Sequence, residues 1–319
     1  MSITVHIPFY NPEPFKKEGF KQLTRYDYLL ENINNLKSLS LKVDIYIHTH
    51  NNFLNNKKLN AEIIIHELRD FELNKGYLTW KVRSLMKEQI NKYDYFIYLE
   101  HDIKFSEPNF QYWLENKNKI SNYKLNLGFI IYEKSNDKYE NFAVHIMKKF
   151  SRYMEIKKQK YFLNDLDNYC CFWIYDKTDF KNFINSKWWN FRKKLTNYRH
   201  YYGVTETSAL GLHAFNIGYF KATVIPEMKN QLDERCFVEH ITNNYLYKNN
   251  HSSEIKKIKK NNYGVENACK YRLNELLSDK SKQKRVDILY KISSLLDQMS
   301  WKFRIFKRLY KSILKRIKC

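Results

Sequence analysis

Glycine and proline are scarce in this sequence, with only 7 and 5 residues among 319. Fibrous and low-complexity chains need far more of both, so the composition excludes a collagen-like or disordered protein. Hydrophobic residues make up 43% of the chain and aromatic residues 17%. A chain of this length and composition can bury a sizeable core, as one large α/β domain or two small ones.

Cysteines are few, and long apolar runs are missing. The five cysteines form neither a C-x-x-C pair nor a regular framework, which disfavours a disulfide scaffold and favours a reducing compartment. The first residues lack a basic segment followed by an apolar stretch, and no run of about 18 apolar residues occurs. We therefore predict neither a secretion signal nor a membrane span.

Acidic residues are outnumbered, because 34 Asp and Glu face 56 Lys and Arg and give a formal net charge of +22. Such a charge favours an anionic partner, which is a nucleic acid, an acidic lipid surface or a phosphorylated ligand. The alternative is a bias towards Lys, Asn, Ile, Tyr and Phe, as an AT-rich genome produces. Zinc-ligand spacing, RNP-like motifs and helix-turn-helix patterns are missing, so we expect no nucleic-acid partner.

Strand-like and helix-like hydrophobic patterns alternate along most of the chain. They predict strands at residues 3–8, 43–49, 61–67, 95–99, 127–132, 171–175 and 223–226, and helices at 26–39, 78–90, 179–188 and 207–213. Alternation of this kind predicts an α/β fold with a mostly parallel sheet flanked by helices. Ligands of such sheets bind beyond the carboxyl ends of the strands, so the chemistry is expected in the loops there.

The composition changes to Lys-rich helical sequence near residue 249. We predict a catalytic domain at residues 1–248 and a basic helical extension at 249–319, with a linker at 249–262. Residues 301–319 carry eight basic residues and no acidic one, and apolar residues recur there at helical spacing. A basic amphipathic helix is suited to an anionic membrane surface; the alternative is a helix packed on the catalytic domain.

The predicted strand 95–99 ends in Glu100-His101-Asp102. Two carboxylates spaced two residues apart at a carboxyl edge can face one side and bind a hard cation, Mn²⁺ or Mg²⁺, that bridges a diphosphate. The alternative is a solvated acidic strand end or a helix cap.

Two longer segments carry a family resemblance. G-Y-L-T-W-K-V-R at residues 76–83 and Y-D-Y-F-I-Y-L-E-H-D-I at 93–103 resemble a group of GT-A-fold glycosyltransferases that reads L-T-W-x-H-R and then Y-D-Y-F-x-Y-L-E-D-D-I. The resemblance continues at 171–175, 205–211 and 238–245, and it spans roughly residues 3–247. Val82 replaces the histidine of that pattern and His101 replaces its middle acid, which leaves Asp102 as the expected metal contact.

The resemblance implies roles for two further residues. His240 lies in a V-x-H-x-x-N-N-Y segment, where such enzymes place a late histidine ligand of the metal, whereas a histidine in a hydrogen bond is the alternative. Glu206 precedes the predicted helix 207–213 and is the candidate base that deprotonates the acceptor hydroxyl. A base there favours inversion at the anomeric carbon, and helix capping is the alternative for Glu206.

The predicted nucleotide-sugar contacts are Pro8, Tyr10, Asn11, Trp80, Arg83 and His101. The loop after the first strand lies beside the nucleotide in GT-A relatives, which implies the first three. Trp80 and Arg83 share a helical face and are candidates to hold the base or diphosphate, although packing is as good an account of Trp80. Trp173 is the candidate for stacking on an acceptor sugar, with a core tryptophan as the alternative.

Together these features imply a metal-dependent glycosyltransferase that moves a sugar from a nucleotide-sugar donor to a glycan or lipid-linked glycan. The expected setting is surface polysaccharide or lipopolysaccharide synthesis, in the cytoplasm and peripheral on the inner face of a membrane. The alternatives are a non-enzymatic basic nucleic-acid-binding protein and a nucleotidyltransferase or hydrolase. Residues 6–14 lack the glycines of a phosphate loop, which disfavours a nucleotidyltransferase.

Overall fold

A computed structural model gives the structure of the chain. It describes residues 1–11, 17–18, 21–135, 141–144, 150–164, 169–186, 188–190, 195–196, 201–212, 220, 222–247, 258–259, 263 and 265–271.

The strands are β1 Ser2–Pro8, β2 Lys17–Glu18, β3 Leu23–Thr24, β4 Lys42–Thr49, β5 Glu62–Ile65, β6 Tyr95–Leu99, β7 Ile103–Lys104, β8 Leu125–Leu127, β9 Ile130–Lys134, β10 Asn141–Ala143, β11 Arg152–Ile156, β12 Gln159–Asn164, β13 Phe172–Asp176, β14 Leu195–Thr196, β15 Tyr201–Tyr202, β16 Ala222–Met228, β17 Gln231–Leu232, β18 Phe237–His240, β19 Ile258–Lys259 and β20 Cys269–Lys270. The helices are α1 Arg25–Lys37, α2 Asp70–Asn74, α3 Leu78–Glu88, α4 Glu107–Ile120, α5 Lys177–Ile184, α6 Val204–Ser208 and α7 Asn244–Tyr247.

The main sheet has the strand order β13-β6-β1-β4-β5. Strands β6, β1, β4 and β5 run parallel, and β13 pairs antiparallel with β6. Ile3, Val5 and Ile7 of β1 are fully buried. A central parallel strand is covered on both faces, which is why Thr4 and His6, between these residues, are fully buried as well. The predicted α/β fold class, with a mostly parallel sheet flanked by helices, is confirmed.

Helix α1 shows why this sequence begins a helix where it does. Thr24 accepts a hydrogen bond from the backbone N–H of Asp27, and the Asp27 carboxylate accepts one from the backbone N–H of Thr24 at 2.8 Å. This reciprocal capping box satisfies two backbone donors that a helix start otherwise leaves free. Leu29, Ile33 and Leu36 recur every three or four residues and are buried against the sheet.

A second sheet of five strands has the order β19-β10-β9-β18-β7, and a third of six strands has the order β17-β16-β12-β11-β20 with β8 paired to β16. The described residues also form two two-stranded sheets, β14-β15 and β2-β3. Strand β6 of the main sheet leads through residues 100–102 into β7 of the second sheet. The turn that carries Glu100 and Asp102 therefore lies where the chain crosses from one sheet to the other.

Three histidine side chains form a hydrogen-bonded chain across the main sheet. His6 Nδ1 lies 2.8 Å from His48 Nε2, and His48 Nδ1 lies 2.7 Å from His66 Nε2. Gln89 Oε1 accepts a hydrogen bond from His6 Nε2 at 2.9 Å, so the proton of His6 is on Nε2. His6 Nδ1 then accepts from His48 Nε2–H, and His48 Nδ1 accepts from His66 Nε2–H. All three rings are neutral in this arrangement, and burial lowers the pKa of His6 to about 3.

Part of the predicted C-terminal extension packs on the domain. Strands β19 and β20 pair with β10 and β11, and Tyr263 and Val265 are buried. These short pairings add edge strands to the two other sheets, and the domain boundary at residue 248 stays a prediction. The amphipathic stretch 301–319 lies outside the described residues.

The predicted helix 207–213 is shifted in the structure. Helix α6 comprises Val204–Ser208, with Gly203 as its N-cap, so it both starts and ends earlier than predicted. The predicted helix 179–188 also starts earlier, at Lys177, after the side chain of Asp176 caps it. No helix in the described part of the chain combines the length and apolar character that crossing a bilayer requires.

Candidate active site

The turn after β6 is fixed on several sides. Glu100 donates its backbone N–H to the carbonyl of Cys171 on the neighbouring chain segment, at 3.1 Å. Asn32 of α1 donates its side-chain N–H to the carbonyl of His101 at 3.3 Å. Ile241 donates its backbone N–H to the carbonyl of Asp102 at 3.0 Å. These bonds place the Glu100 and Asp102 side chains at the carboxyl edge of the main sheet.

The side chain of Asp102 meets His240, which ends β18 in the second sheet. His240 Nε2 lies 3.1 Å from Asp102 Oδ2, and His240 Nδ1 lies 2.5 Å from Glu133 Oε1. Thr242 Oγ1 lies 2.9 Å from the same Nε2. An imidazole is thus held between two carboxylates, of which Asp102 is on the cavity side.

Charge dominates this corner of the molecule. Burial lowers the pKa of His240, but the carboxylates of Asp102 and Glu133 outweigh it and raise the pKa to about 10. Burial raises the pKa of Asp102, yet His101 and His240 outweigh it and hold that pKa well below its usual value. Burial, followed by the charges of Asp102 and Glu206, raises the pKa of Glu100 to about 8. The Glu100 carboxylate therefore lies among negative charges.

A cavity of about 280 Å³ opens beside these residues. Its lining comprises Pro8, Tyr10, Arg25, Leu73, Gly76, Leu78, Thr79, Glu100, His101, Asp102 and Thr205. Of the predicted donor and metal residues, it brings together Pro8, Tyr10, Glu100, His101 and Asp102, from the carboxyl ends of two adjacent parallel strands. The rule for open α/β sheets places ligands at this edge.

The cavity lining also includes a cationic group. Arg25, the first residue of α1, donates one N–H to the carbonyl of Tyr10 at 2.8 Å, and its side chain lines the cavity. Leu78 and Thr79 form the first turn of α3, which contains no acidic residue. A helix start carries a partial positive charge, and the N–H groups of Thr79 and Trp80 donate to the carbonyls of Gly76 and Tyr77. The cavity lining therefore combines the Glu100 and Asp102 side chains with a guanidinium and a helix start.

Gly76 packs closely against Thr205, and both residues line the cavity. Its φ is +77°, and a Cβ added to it would lie 2.1 Å from Thr205 Oγ1. Glycine alone adopts this φ without strain and leaves room for the threonine. The loop before α3 consequently touches the start of α6, which carries Glu206.

Glu206 is half-buried in the first turn of α6, close enough to Glu100 to raise the pKa of that residue. It does not cap the helix with a side-chain hydrogen bond, because Gly203 is the N-cap residue. Thr205, the residue before Glu206, lines the cavity, whereas Glu206 itself is not among the lining residues.

Trp80 and Arg83 lie elsewhere. Both side chains are buried, at 4% exposure each, and neither lines the cavity. Trp80 Nε1 donates to the carbonyl of Val204 at 2.8 Å. The guanidinium of Arg83 donates to the carbonyls of Trp188, Trp189 and Ser208. Both side chains bond to interior carbonyls because the face of α3 that carries them packs against α6. Trp80 is therefore a packing residue, which is the alternative given for it above.

Trp173 and Asn11 are also interior residues. Trp173 is 1% exposed, its Nε1 donates to the carbonyl of Ser208 at 3.1 Å, and its ring packs against Tyr98 and Tyr175. No face of this indole is open to an acceptor sugar, because β13 places it in the aromatic core. Asn11 is 1% exposed and does not line the cavity.

Two residues of this site, Glu133 and Arg25, are not indicated by the sequence. Glu133 looks like the polar end of a strand, in I-I-Y-E-K, and nothing local indicates that its carboxylate is fully buried against His240. Arg25 follows a capping threonine and looks like a surface residue of α1. The T-R-Y-D capping box does predict that Arg25 begins the helix, and therefore lies near the strand ends.

The donor set suits a hard divalent cation. The described residues include no group of three His, Cys, Asp or Glu side chains already arranged as metal ligands. Asp102 and His240 are the pair within contact, and Glu100 lies on the same wall. Mg²⁺ and Mn²⁺ commonly take one or two protein ligands and complete their shells with phosphate oxygens and water. An open site with carboxylate and imidazole donors fits such an ion.

No family model and no curated protein matches this sequence. Among solved structures, residues 1–349 of S. aureus TarS are similar with a TM-score of 0.33 and 13% identity, over 57% of this chain and 49% of that one. The same protein in complex with UDP-GlcNAc gives 0.30 and 12%, over 57% and 47%. The bifunctional IspDF from Campylobacter jejuni gives 0.28 and 11%, over 66% and 48%. The chain thus spans about half the length of each of these solved structures.

Proposed function

We propose that this chain is a metal-dependent glycosyltransferase that moves a sugar from a nucleotide-diphosphate donor to a hydroxyl of a glycan or lipid-linked glycan. The observation that carries the proposal is the cavity at the carboxyl edge of the sheet, whose lining combines Glu100 and Asp102 with Arg25 and the start of α3. His240 lies 3.1 Å from Asp102. A metal ion bound to a diphosphate needs both kinds of group, because the ion takes carboxylate ligands and the phosphates take cationic ones.

The chain's own residues divide the work. Asp102, His240 and Glu100 would hold the cation, whose bound charge stabilises the departing nucleoside diphosphate. Arg25 and the positive end of the α3 dipole would face phosphate oxygens. Pro8, Tyr10 and His101 form the wall beside the donor.

Glu206 is the proposed general base. It follows Thr205, which lines the cavity, and its charge contributes to the raised pKa of Glu100, so we place the acceptor hydroxyl beside it. Removal of the hydroxyl proton by Glu206 as the oxygen attacks the anomeric carbon gives inversion of configuration.

The acceptor, the pathway and the membrane belong to the same proposal. A surface polysaccharide or lipopolysaccharide intermediate is consistent with the basic amphipathic sequence at 301–319, which would hold the enzyme on an anionic inner membrane surface. Mn²⁺ or Mg²⁺ is the proposed cofactor.

A panel of nucleotide sugars tests the proposal, with and without Mn²⁺, by thermal stability and by release of nucleoside diphosphate. We expect one donor to raise the melting temperature only with metal, and Asp102→Ala to abolish both responses. Asp94→Asn, before the amino end of the same strand β6, is the matched control and should behave as wild type. If no donor binds and RNA or DNA binds tightly in a salt-sensitive manner, the basic nucleic-acid-binding alternative replaces this proposal.

A further inference from the structure

Glu133 is a carboxylate buried without any solvent exposure. A buried charge is unfavourable unless partners compensate it, so its contacts identify what it does. Oε1 lies 2.5 Å from His240 Nδ1 and accepts the backbone N–H of Tyr245 at 3.1 Å. Oε2 accepts the backbone N–H of Leu246 at 2.7 Å. Each of these contacts goes to one segment, residues 240–246.

The contact with His240 fixes the direction of the imidazole. Because Glu133 accepts at Nδ1, the proton on that nitrogen is held, and Nε2 is turned towards Asp102 Oδ2 at 3.1 Å. The backbone bonds from Tyr245 and Leu246 hold the Glu133 carboxylate itself in place. The ring can therefore neither rotate nor exchange its two nitrogens without breaking a buried hydrogen bond.

We propose that Glu133 is a positioning residue that keeps His240 Nε2 directed at Asp102, where the divalent cation of the proposed function, on which this inference rests, would take the place of the Nε2 proton. Carboxylates that accept from the far nitrogen of a metal-binding histidine have this effect in metalloproteins generally. Glu133 does not line the cavity and acts through His240 alone.

Glu133→Gln is the informative substitution. Glutamine has nearly the same shape and keeps one oxygen for the amides of Tyr245 or Leu246, but it presents an NH₂ group as well. An NH₂ facing Nδ1 makes that nitrogen an acceptor and moves the imidazole proton to Nε2, where it blocks a metal. The matched control is Glu239→Gln, since Glu239 precedes His240 on β18 but faces the other side, where it binds Lys134 at 2.7 Å.

The experiment measures Mn²⁺ affinity of the full chain by electron paramagnetic resonance, with no donor present. We expect Glu133→Gln to weaken binding by about 10- to 100-fold. Glu239→Gln should stay within about twofold of wild type, and Asp102→Asn should lose binding. If Asp102→Asn binds Mn²⁺ like wild type, the metal site of the proposed function fails. If Asp102→Asn loses binding while Glu133→Gln retains it, the positioning role alone fails.

A second measurement does not depend on the folding of a variant. Nitrogen-15 spectra of histidine in the Mg²⁺-loaded wild-type protein report which ring nitrogen carries the proton. We expect His240 to show a protonated Nδ1 and an unprotonated Nε2. A protonated Nε2 in the loaded protein would overturn the inference.

Discussion

The guanidinium of Arg83 donates a hydrogen bond of 3.1 Å to the carbonyl oxygen of Ser208, the last residue of α6. The same side chain reaches the carbonyls of Trp188 and Trp189, and its Cζ lies 3.9 Å from the centre of the Trp80 ring. Helix α3 is thereby joined to the short helix that presents Glu206. Arg83 thus holds α6 in place and does not line the cavity.

Arg83→Met should therefore act on stability. The change leaves buried carbonyls without donors, and we expect the free energy of unfolding to fall by roughly 2–4 kcal/mol. Urea denaturation measures the loss, with Lys87→Met as the control because Lys87 is exposed on the same helix. A direct role in nucleotide binding would instead give unchanged stability and a raised KM for the donor, and that result would contradict the supporting role.

Glu206→Gln should act on the chemical step. Loss of a general base typically lowers kcat by about 10²- to 10⁴-fold, while the KM for the donor should change little because Glu206 does not line the donor cavity. Steady-state release of nucleoside diphosphate with the identified donor and acceptor gives both constants. Glu227→Gln, on β16, serves as the control. A kcat within a few-fold of wild type would assign the base to another residue.

The histidine chain of the main sheet predicts acid sensitivity. In the unfolded chain these histidines take up protons near pH 6.5, whereas the folded pKa of His6 is about 3 and that of His48 is also well below 6.5. Stability should be complete above pH 6.5 and fall as the pH decreases towards 3, because the unfolded state then binds more protons. The slope is about 1.4 kcal/mol per pH unit for each histidine that stays neutral when folded.

Urea unfolding between pH 7.5 and 5 measures this loss, and NMR of the histidine rings in the folded protein separates it from carboxylate effects. The His6 and His48 signals should keep their neutral positions across that range, while the same rings titrate near pH 6.5 in urea. A His6 signal that titrates near pH 6 in the folded protein would show that the chain of hydrogen bonds is wrong.

The C-terminal sequence predicts membrane binding that depends on salt. The full chain should sediment with vesicles rich in anionic lipid and release as salt is raised, because each basic residue near such a surface contributes about 1 kcal/mol. Replacing Lys307, Arg308 and Lys311 by Glu should abolish the binding and leave thermal stability unchanged. Wild-type binding to neutral vesicles of equal strength would argue against electrostatic attachment.

The sequence predicts the main sheet well because its strands are buried on both faces. Strands β1, β4 and β6 are short segments rich in β-branched and aromatic residues, and this local pattern can be recognised without knowledge of the rest of the fold. Strands such as β19 and β20 contain two residues each. Pairing with distant partners alone makes them strands, so no local pattern could predict them.

The site was predictable in part for a similar reason. Glu100 and Asp102 share one turn, so their proximity follows from the sequence. Helical spacing does place Trp80 and Arg83 on one face of α3, but it does not tell whether that face meets a ligand or α6. The burial of Glu133 against His240 depends on packing between residues 107 positions apart, for which the chain gives no local signal.

The crossing of the chain between sheets gives the site a mechanical role. Asp102 follows a strand of the main sheet, and His240 ends a strand of the second sheet. A ligand that contacts both side chains at once links the two sheets. Its binding free energy adds to the free energy needed to separate them, so without ligand the protein should open first between these sheets. Hydrogen exchange in β18 should therefore slow most when the ligand is bound.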